Sequence, residues 1–192
     1  MTEMKYKRES AKRVFAAEFR NCKFAEKFST DEKAPTFTLT PTGEIAARLL
    51  IVGVATSKER TSTKDKANTI YKTRISDGTG DFFVSASSFQ PDAMMQLAKI
   101  EVPAIVAVIG KPKIFVKEDG TIFTSVNAES VTVVDKETRD IWKLETAKAT
   151  EDRIKMMETG GIKAIDNIKE RYNTNLDTYK SIINKALTRN TA

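Results

Sequence analysis

The sequence predicts a mainly β protein, a five-stranded barrel with an N-terminal helix and C-terminal helices. Three observations predict it. Between residues 44 and 134, runs rich in β-branched residues succeed one another with turn signals between them, and one short helical stretch interrupts the series. The two longest runs each hold an interior glycine, Gly53 and Gly110, where a strand bends as a sheet curls on itself. Outside that region, apolar residues recur at helical spacing. The expected division is a helical segment and linker over 1–43, the barrel over 44–135 and a C-terminal helical region over 136–192.

Taken in order, residues 5–28 are expected to be helical, because Val14, Phe15, Glu18 and Phe19 sit at 3–4 spacing among alanines. Residues 29–43 are a linker by composition, with two prolines, several threonines and a Pro-Thr-Gly turn. Glu44–Ser57 is the first strand and 58–68 a polar loop. Thr69–Ser76 is the second strand, and Asp77-Gly78-Thr79-Gly80 turns the chain into the third, Asp81–Ser88. Pro91–Ile100 is a short helix with proline at its start, as helices favour. Pro103–Phe115 and Thr121–Val134 are the fourth and fifth strands, joined at Glu118-Asp119-Gly120. A helix over 136–158 ends at Gly160-Gly161, and two shorter helical pieces follow.

Three strands, a short helix and two more strands is the order of the five-stranded Greek-key OB-fold. A β-sandwich would need about seven strands. OB barrels bind extended polynucleotides across strands two and three under the loops after strands one and four. Such binding needs basic groups along the phosphates and rings to stack on bases. Alternation puts Lys72 and Arg74 on the outer face of strand two, away from Tyr71, Thr73 and Ile75. Phe83, Ser85, Ser87 and Phe89 then face outward from strand three, opposite Phe82, Val84 and Ala86. On strand four, Lys111, Lys113, Phe115 and Lys117 share a face, provided that Pro112 lies at an edge or bulge. The loop after strand one adds Lys58, Arg60, Lys64 and Lys66.

Composition narrows the chemistry. The net charge of +6 favours an anionic partner, although solubilising surface charge has the same sign. One cysteine and no histidine leave no Cys/His zinc site, no intrachain disulfide and no histidine general base. No nucleophile–base pair or phosphate loop is visible, so an enzyme is not expected, nor is a cofactor or metal. No apolar run reaches the roughly 20 residues of a membrane helix, and the N-terminus lacks a signal-peptide pattern, so no membrane association is expected.

Seven segments carry a resemblance: Arg8–Phe19, Thr40–Gly43, Leu49–Val54, Asp77–Gly80, Phe89–Ala93, Pro103–Lys111 and Thr138–Trp142. In this order the chain resembles the archaeal replication protein A-associated proteins and, more distantly, the middle subunit of replication protein A. The resemblance implies single-stranded DNA binding in replication and repair and a hetero-oligomer with a larger replication protein A subunit; with no signal-peptide pattern, the expected location is cytoplasmic and nucleoid-associated. It also implies that the helix after the barrel packs in the subunit interface, with Ile141, Leu144, Ala147, Ile154 and Met157 as candidates; the same residues would serve a helix folded back on its own barrel. The chain departs from the family it resembles at Ser85 and Ser87-Ser88, where that family tends to place rings. Fewer rings mean weaker stacking, so the alternative is an adaptor subunit that binds DNA weakly or not at all.

Overall fold

In a computed structural model, which describes residues 9–62 and 69–188, the N-terminal segment is not the long helix that the spacing predicts. It makes a single helical turn, Ala16–Phe19 (α1), followed by the strand Phe24–Lys27 (β1). The apolar spacing has another cause: Val14, Phe15 and Phe19 insert into the barrel core and are essentially inaccessible to solvent. The turn is held from a distance, because the Asp77 carboxylate accepts the Ala16 N–H at 2.7 Å and Thr79 Oγ1 accepts that of Ala17 at 3.2 Å. Burial pushes the Asp77 carboxyl above its ordinary range, against the pull of these N–H donors and of its own turn.

The expected linker contains a second strand, Thr36–Leu39 (β2), whose Thr-Phe-Thr-Leu alternation pairs antiparallel with β1. Ile45–Ala46 (β3) adds to its other edge, giving a three-stranded sheet in the order β1-β2-β3. The first barrel strand therefore begins later than predicted and runs further, Leu49–Ser62 (β4), into the expected polar loop.

The other elements fall within a few residues of expectation: Thr69–Ser76 (β5), Asp81–Ser87 (β6), Pro91–Lys99 (α2), Ala104–Val116 (β7) and Ile122–Val133 (β8). They close a barrel in the order β4-β5-β6-β8-β7, through antiparallel β4–β7 pairing and a short parallel β6–β8 pairing. The interior glycines sit where backbones approach too closely for a side chain. A Cβ at Gly53 would lie 2.4 Å from the Ser76 carbonyl oxygen, and one at Gly110 would lie 2.5 Å from that of Asn127. Pro112 keeps register, facing Val126, because β4 pairs with β7 only as far as Gly110 and the edge beyond needs no N–H donor.

Three helices follow among the described residues, Lys136–Thr159 (α3), Lys163–Tyr172 (α4) and Leu176–Thr188 (α5). Asp135 caps α3 by accepting the Thr138 N–H at 2.8 Å. Trp142 fastens α3 to the barrel, its indole N–H donating to the Leu50 carbonyl at 2.9 Å and its ring meeting Phe15 edge to face at 5.9 Å. Further along, the Arg153 guanidinium donates to Glu18 at 3.1 Å, Glu44 at 3.2 Å and Thr42 at 2.8 Å, joining α1, the turn before β3 and α3. One apolar cluster contains Phe15 and Cys22 from the N-terminal segment, Ile51 and Phe82 from the barrel, and Trp142 and Ala186 from the C-terminal helices.

The α3 stripe expected at a subunit interface is divided. Ala147, Ile154 and Met157 are buried within this chain, Met157 against Leu39 of β2 and Ile168 of α4. Ile141 and Leu144 are exposed, at 51% and 60%. At 3.6 residues per turn, Ile141 and Ile154 project roughly 140° apart, as do Leu144 and Met157, so the five residues never formed one face. The helix lies on its own chain and leaves only Ile141 and Leu144 of the five at the surface.

Candidate nucleic-acid interface

Cross-strand register assembles the outer face of the barrel row by row. Glu59 on β4 pairs with Lys72 on β5, Lys72 with Ser85 on β6, Ser85 with Asn127 on β8, and Asn127 with Lys111 on β7. A neighbouring row runs from Ser57 through Arg74 to Phe83. Lys113 faces Ser125, and Phe115 faces Phe123. The intervening residues Thr73, Val84, Val126 and Pro112 point inward and are buried, which leaves the polar and aromatic set on one side of the sheet.

Two depressions mark that side. The first, of about 480 Å³, has Lys72, Arg74, Phe83, Ser85, Phe123 and Ser125 on its walls. The second, of about 460 Å³, is bounded by Phe89, Lys111, Lys113, Asn127 and Glu129. Ser85 and Asn127 stand between them and are joined by a hydrogen bond of 3.3 Å from the Ser85 hydroxyl. Four rings are open to solvent along this course: Phe83 is 45% exposed, Phe123 46%, Phe115 63% and Phe89 83%. An exposed phenylalanine gains nothing from water, and four near one surface make a stacking platform.

Cations lie over or beside these rings. The Arg74 guanidinium sits 5.6 Å from the Phe83 centroid, and Lys117 Nζ, at the β7–β8 turn, sits 4.5 Å from that of Phe123. Carboxylates temper some of the charge: Asp81 lies 3.8 Å from Arg74, and Glu129 takes Arg48 at 2.6 Å and Lys111 at 3.9 Å. Among the described residues, Lys72 and Lys113 have no carboxylate partner, so their charge is available to an anionic ligand.

Other predicted residues are placed elsewhere. Arg60 pairs with Tyr71, on the opposite face of the β4–β5 ribbon from Lys72. The cause is a bulge between Ala55 and Ser57 that reverses the alternation of β4. The same reversal turns Lys58 toward α2, where its ammonium donates to the Ala98 and Ile100 carbonyls at 2.9 and 2.7 Å. Lys58 thus caps a helix end instead of joining the groove. The Ser87 hydroxyl is committed to the turn into α2, donating to Gln90 Oε1 at 3.1 Å and accepting the Phe89 N–H at 3.4 Å. Lys64 lies outside the described residues, as does Lys66.

Sequence reasoning overlooked β8. Phe123, Ser125 and Asn127 line the depressions, while Thr124 and Val126 between them and Ala128 after them are buried. The signal was the plain alternation of Phe-Thr-Ser-Val-Asn-Ala within the fifth predicted strand. What it lacked was the strand order, which places β8 directly beside β6.

No protein-family model matches the sequence, and no curated protein sequence matches it. Among solved structures, a chain of a replication protein A heterotrimer bound to single-stranded DNA is 20% identical with a TM-score of 0.50, over 76% of this chain and 98% of that one. A chain of the S. pombe Stn1–Ten1 complex is 13% identical with a TM-score of 0.53, over 72% of this chain and 90% of that one. What these likenesses establish is the architecture, an OB barrel with helices at both ends.

Proposed function

We propose that this chain is a non-catalytic, single-stranded DNA-binding subunit of a replication protein A-type complex, of the archaeal kind and acting in DNA replication and repair. The observation that carries the reading is the row of exposed rings, Phe83, Phe123 and Phe115, interleaved with Lys72, Arg74, Lys113 and Lys117 on one side of a barrel. Rings stack on any base and cations follow the phosphates, so binding is without strong sequence preference. The similar chain from a DNA-bound heterotrimer supports the same ligand, and a larger replication protein A subunit as partner. No described helix is long and apolar enough to cross a membrane, which is compatible with a nucleoid-associated place in the cytoplasm.

A second reading, an adaptor that binds DNA weakly, draws on Glu59 and Glu129 beside the groove and on serines at 85 and 87. Titration of the full chain with fluorescent oligo-dT at two salt concentrations separates the two. Direct binding gives micromolar or tighter affinity that falls steeply with salt. No detectable binding at low salt removes the first reading in favour of the second.

A further inference from the structure

The β1–β2 hairpin adds a third basic depression to the two on the barrel face. The β1–β2 hairpin lies beside β7 where that strand has parted from β4, and a crevice of about 390 Å³ opens between them. Its charged walls are Lys27 and Lys33 from the hairpin, Arg48 from the start of the barrel, and Lys111 and Lys113 from β7. Lys111 and Lys113 also bound the depression beside Phe89, so the two hollows share a wall.

Charge and surface together specify a ligand. Glu129 engages Arg48 and Lys111, whereas the Lys27 ammonium donates to a neutral acceptor, the Glu32 carbonyl at 2.8 Å, and has no carboxylate partner among the described residues. Among the described residues, Lys33 and Lys113 have no carboxylate partner. Among the described residues the remaining lining is Ala34, Pro35, Thr36, Ala47 and Pro112, with no aromatic ring to stack on a base. A site with cations on its walls and no ring suits phosphates and sugars and is indifferent to base identity.

We propose that this crevice receives the sugar–phosphate backbone of the strand as it leaves the barrel groove, so that the N-terminal hairpin lengthens the binding track beyond the barrel. The inference rests on the single-stranded DNA reading above and adds the course of the strand past Lys113. The hairpin is then a working part of the interface as well as a cover for the core.

The test compares the parent chain with Lys27→Met/Lys33→Ala and with Lys33→Glu, using oligo-dT of about 8 and about 20 nucleotides, lengths within and beyond the footprint of a single OB barrel. Both lysine side chains are exposed, and the Lys33 backbone N–H keeps its bond to Asp31, so thermal melting should be unchanged. The short oligonucleotide should bind all three proteins equally. The long one should bind the double variant about tenfold more weakly, with a salt slope smaller by about 1.4, or about 0.7 for each of two lost phosphate contacts. Lys33→Glu, which changes the net charge by the same two units, should weaken it comparably. Parent-like affinity and slope for the long oligonucleotide, with Phe115→Ala still impaired, would remove the crevice and keep the groove. Equal weakening at both lengths would make the lysines a diffuse field and overturn the track. Displacement of the long oligonucleotide by poly-glutamate from the parent but not from the double variant would reassign the crevice to an acidic protein. Failure of the parent to bind either length would overturn the crevice together with the functional reading beneath it.

Discussion

Phe115 and Phe123 form a cross-strand pair at the mouth of the β7–β8 turn, and both rings are substantially open to water. Stacking one base on such a ring contributes about 1–3 kcal/mol. Phe115→Ala and Phe123→Ala are each expected to weaken oligo-dT binding about tenfold, while urea unfolding stays within about 0.5 kcal/mol of the parent, as for other exposed substitutions. Retained affinity in either variant would remove that ring from the site. Arg153 is the opposite case. It is polar in sequence yet nearly buried, holding Glu18, Glu44 and Thr42 at once. Arg153→Met leaves the Glu18 carboxylate, which is 1% exposed, without its counter-charge. A loss of about 3–5 kcal/mol in urea denaturation is expected, as when one partner of a buried pair is removed. A loss below about 1 kcal/mol would mean that the network does not clasp the N-terminus to α3.

At the scale of elements, the two barrel glycines define where strands cross. Gly53→Ala drives a methyl group into the Ser76 carbonyl at 2.4 Å, a contact that only backbone movement can relieve. Overpacking of this kind costs about 1–3 kcal/mol, and here it acts on the β4–β5 pairing that holds Lys72 and Arg74 in place. Gly53→Ala should therefore lower both the urea midpoint and DNA affinity, whereas Gly120→Ala, at a turn with no neighbour within 4 Å, should leave affinity intact despite its strained φ of 82°. The β1–β2 hairpin was hidden in sequence because its two strands have only four residues each, and the first of them continues an apparent helical pattern. Short strands take their conformation from their partners, and β1 and β2 are joined by the Tyr172 hydroxyl of α4, which accepts the N–H groups of Lys23, just before β1, and Phe24 at 2.8 and 3.4 Å and donates to the Leu39 carbonyl at 2.6 Å.

At the scale of the whole molecule, α3 belongs to the barrel it follows. Ile154→Asp would bury a charge within the chain's own packing and is expected to unfold the protein, so it cannot report on assembly. Leu144→Asp, on the exposed face, is the informative substitution. Its melting temperature should match the parent's, while co-elution with a larger replication protein A-type subunit in gel filtration should be lost. Normal co-elution of a folded Leu144→Asp variant would exclude the exposed face of α3 as the contact.

The sequence by itself determined the barrel. Strand alternation, the turn at residues 77–80, the proline that opens α2 and the glycines within the long strands are local signals, and each restricts backbone geometry within a few residues. The same alternation put Lys72, Arg74, Phe83, Lys113 and Phe115 on the outer surface, since inside and outside follow from a period of two. Only the tertiary structure decided which outward residues are neighbours. The parallel β6–β8 pairing brings Phe123 and Asn127 to the groove, the bulge in β4 turns Lys58 and Arg60 away, and the packing of α3 on its own chain divides the five interface candidates. These outcomes depend on contacts between residues distant in sequence, which no periodicity along a single segment encodes.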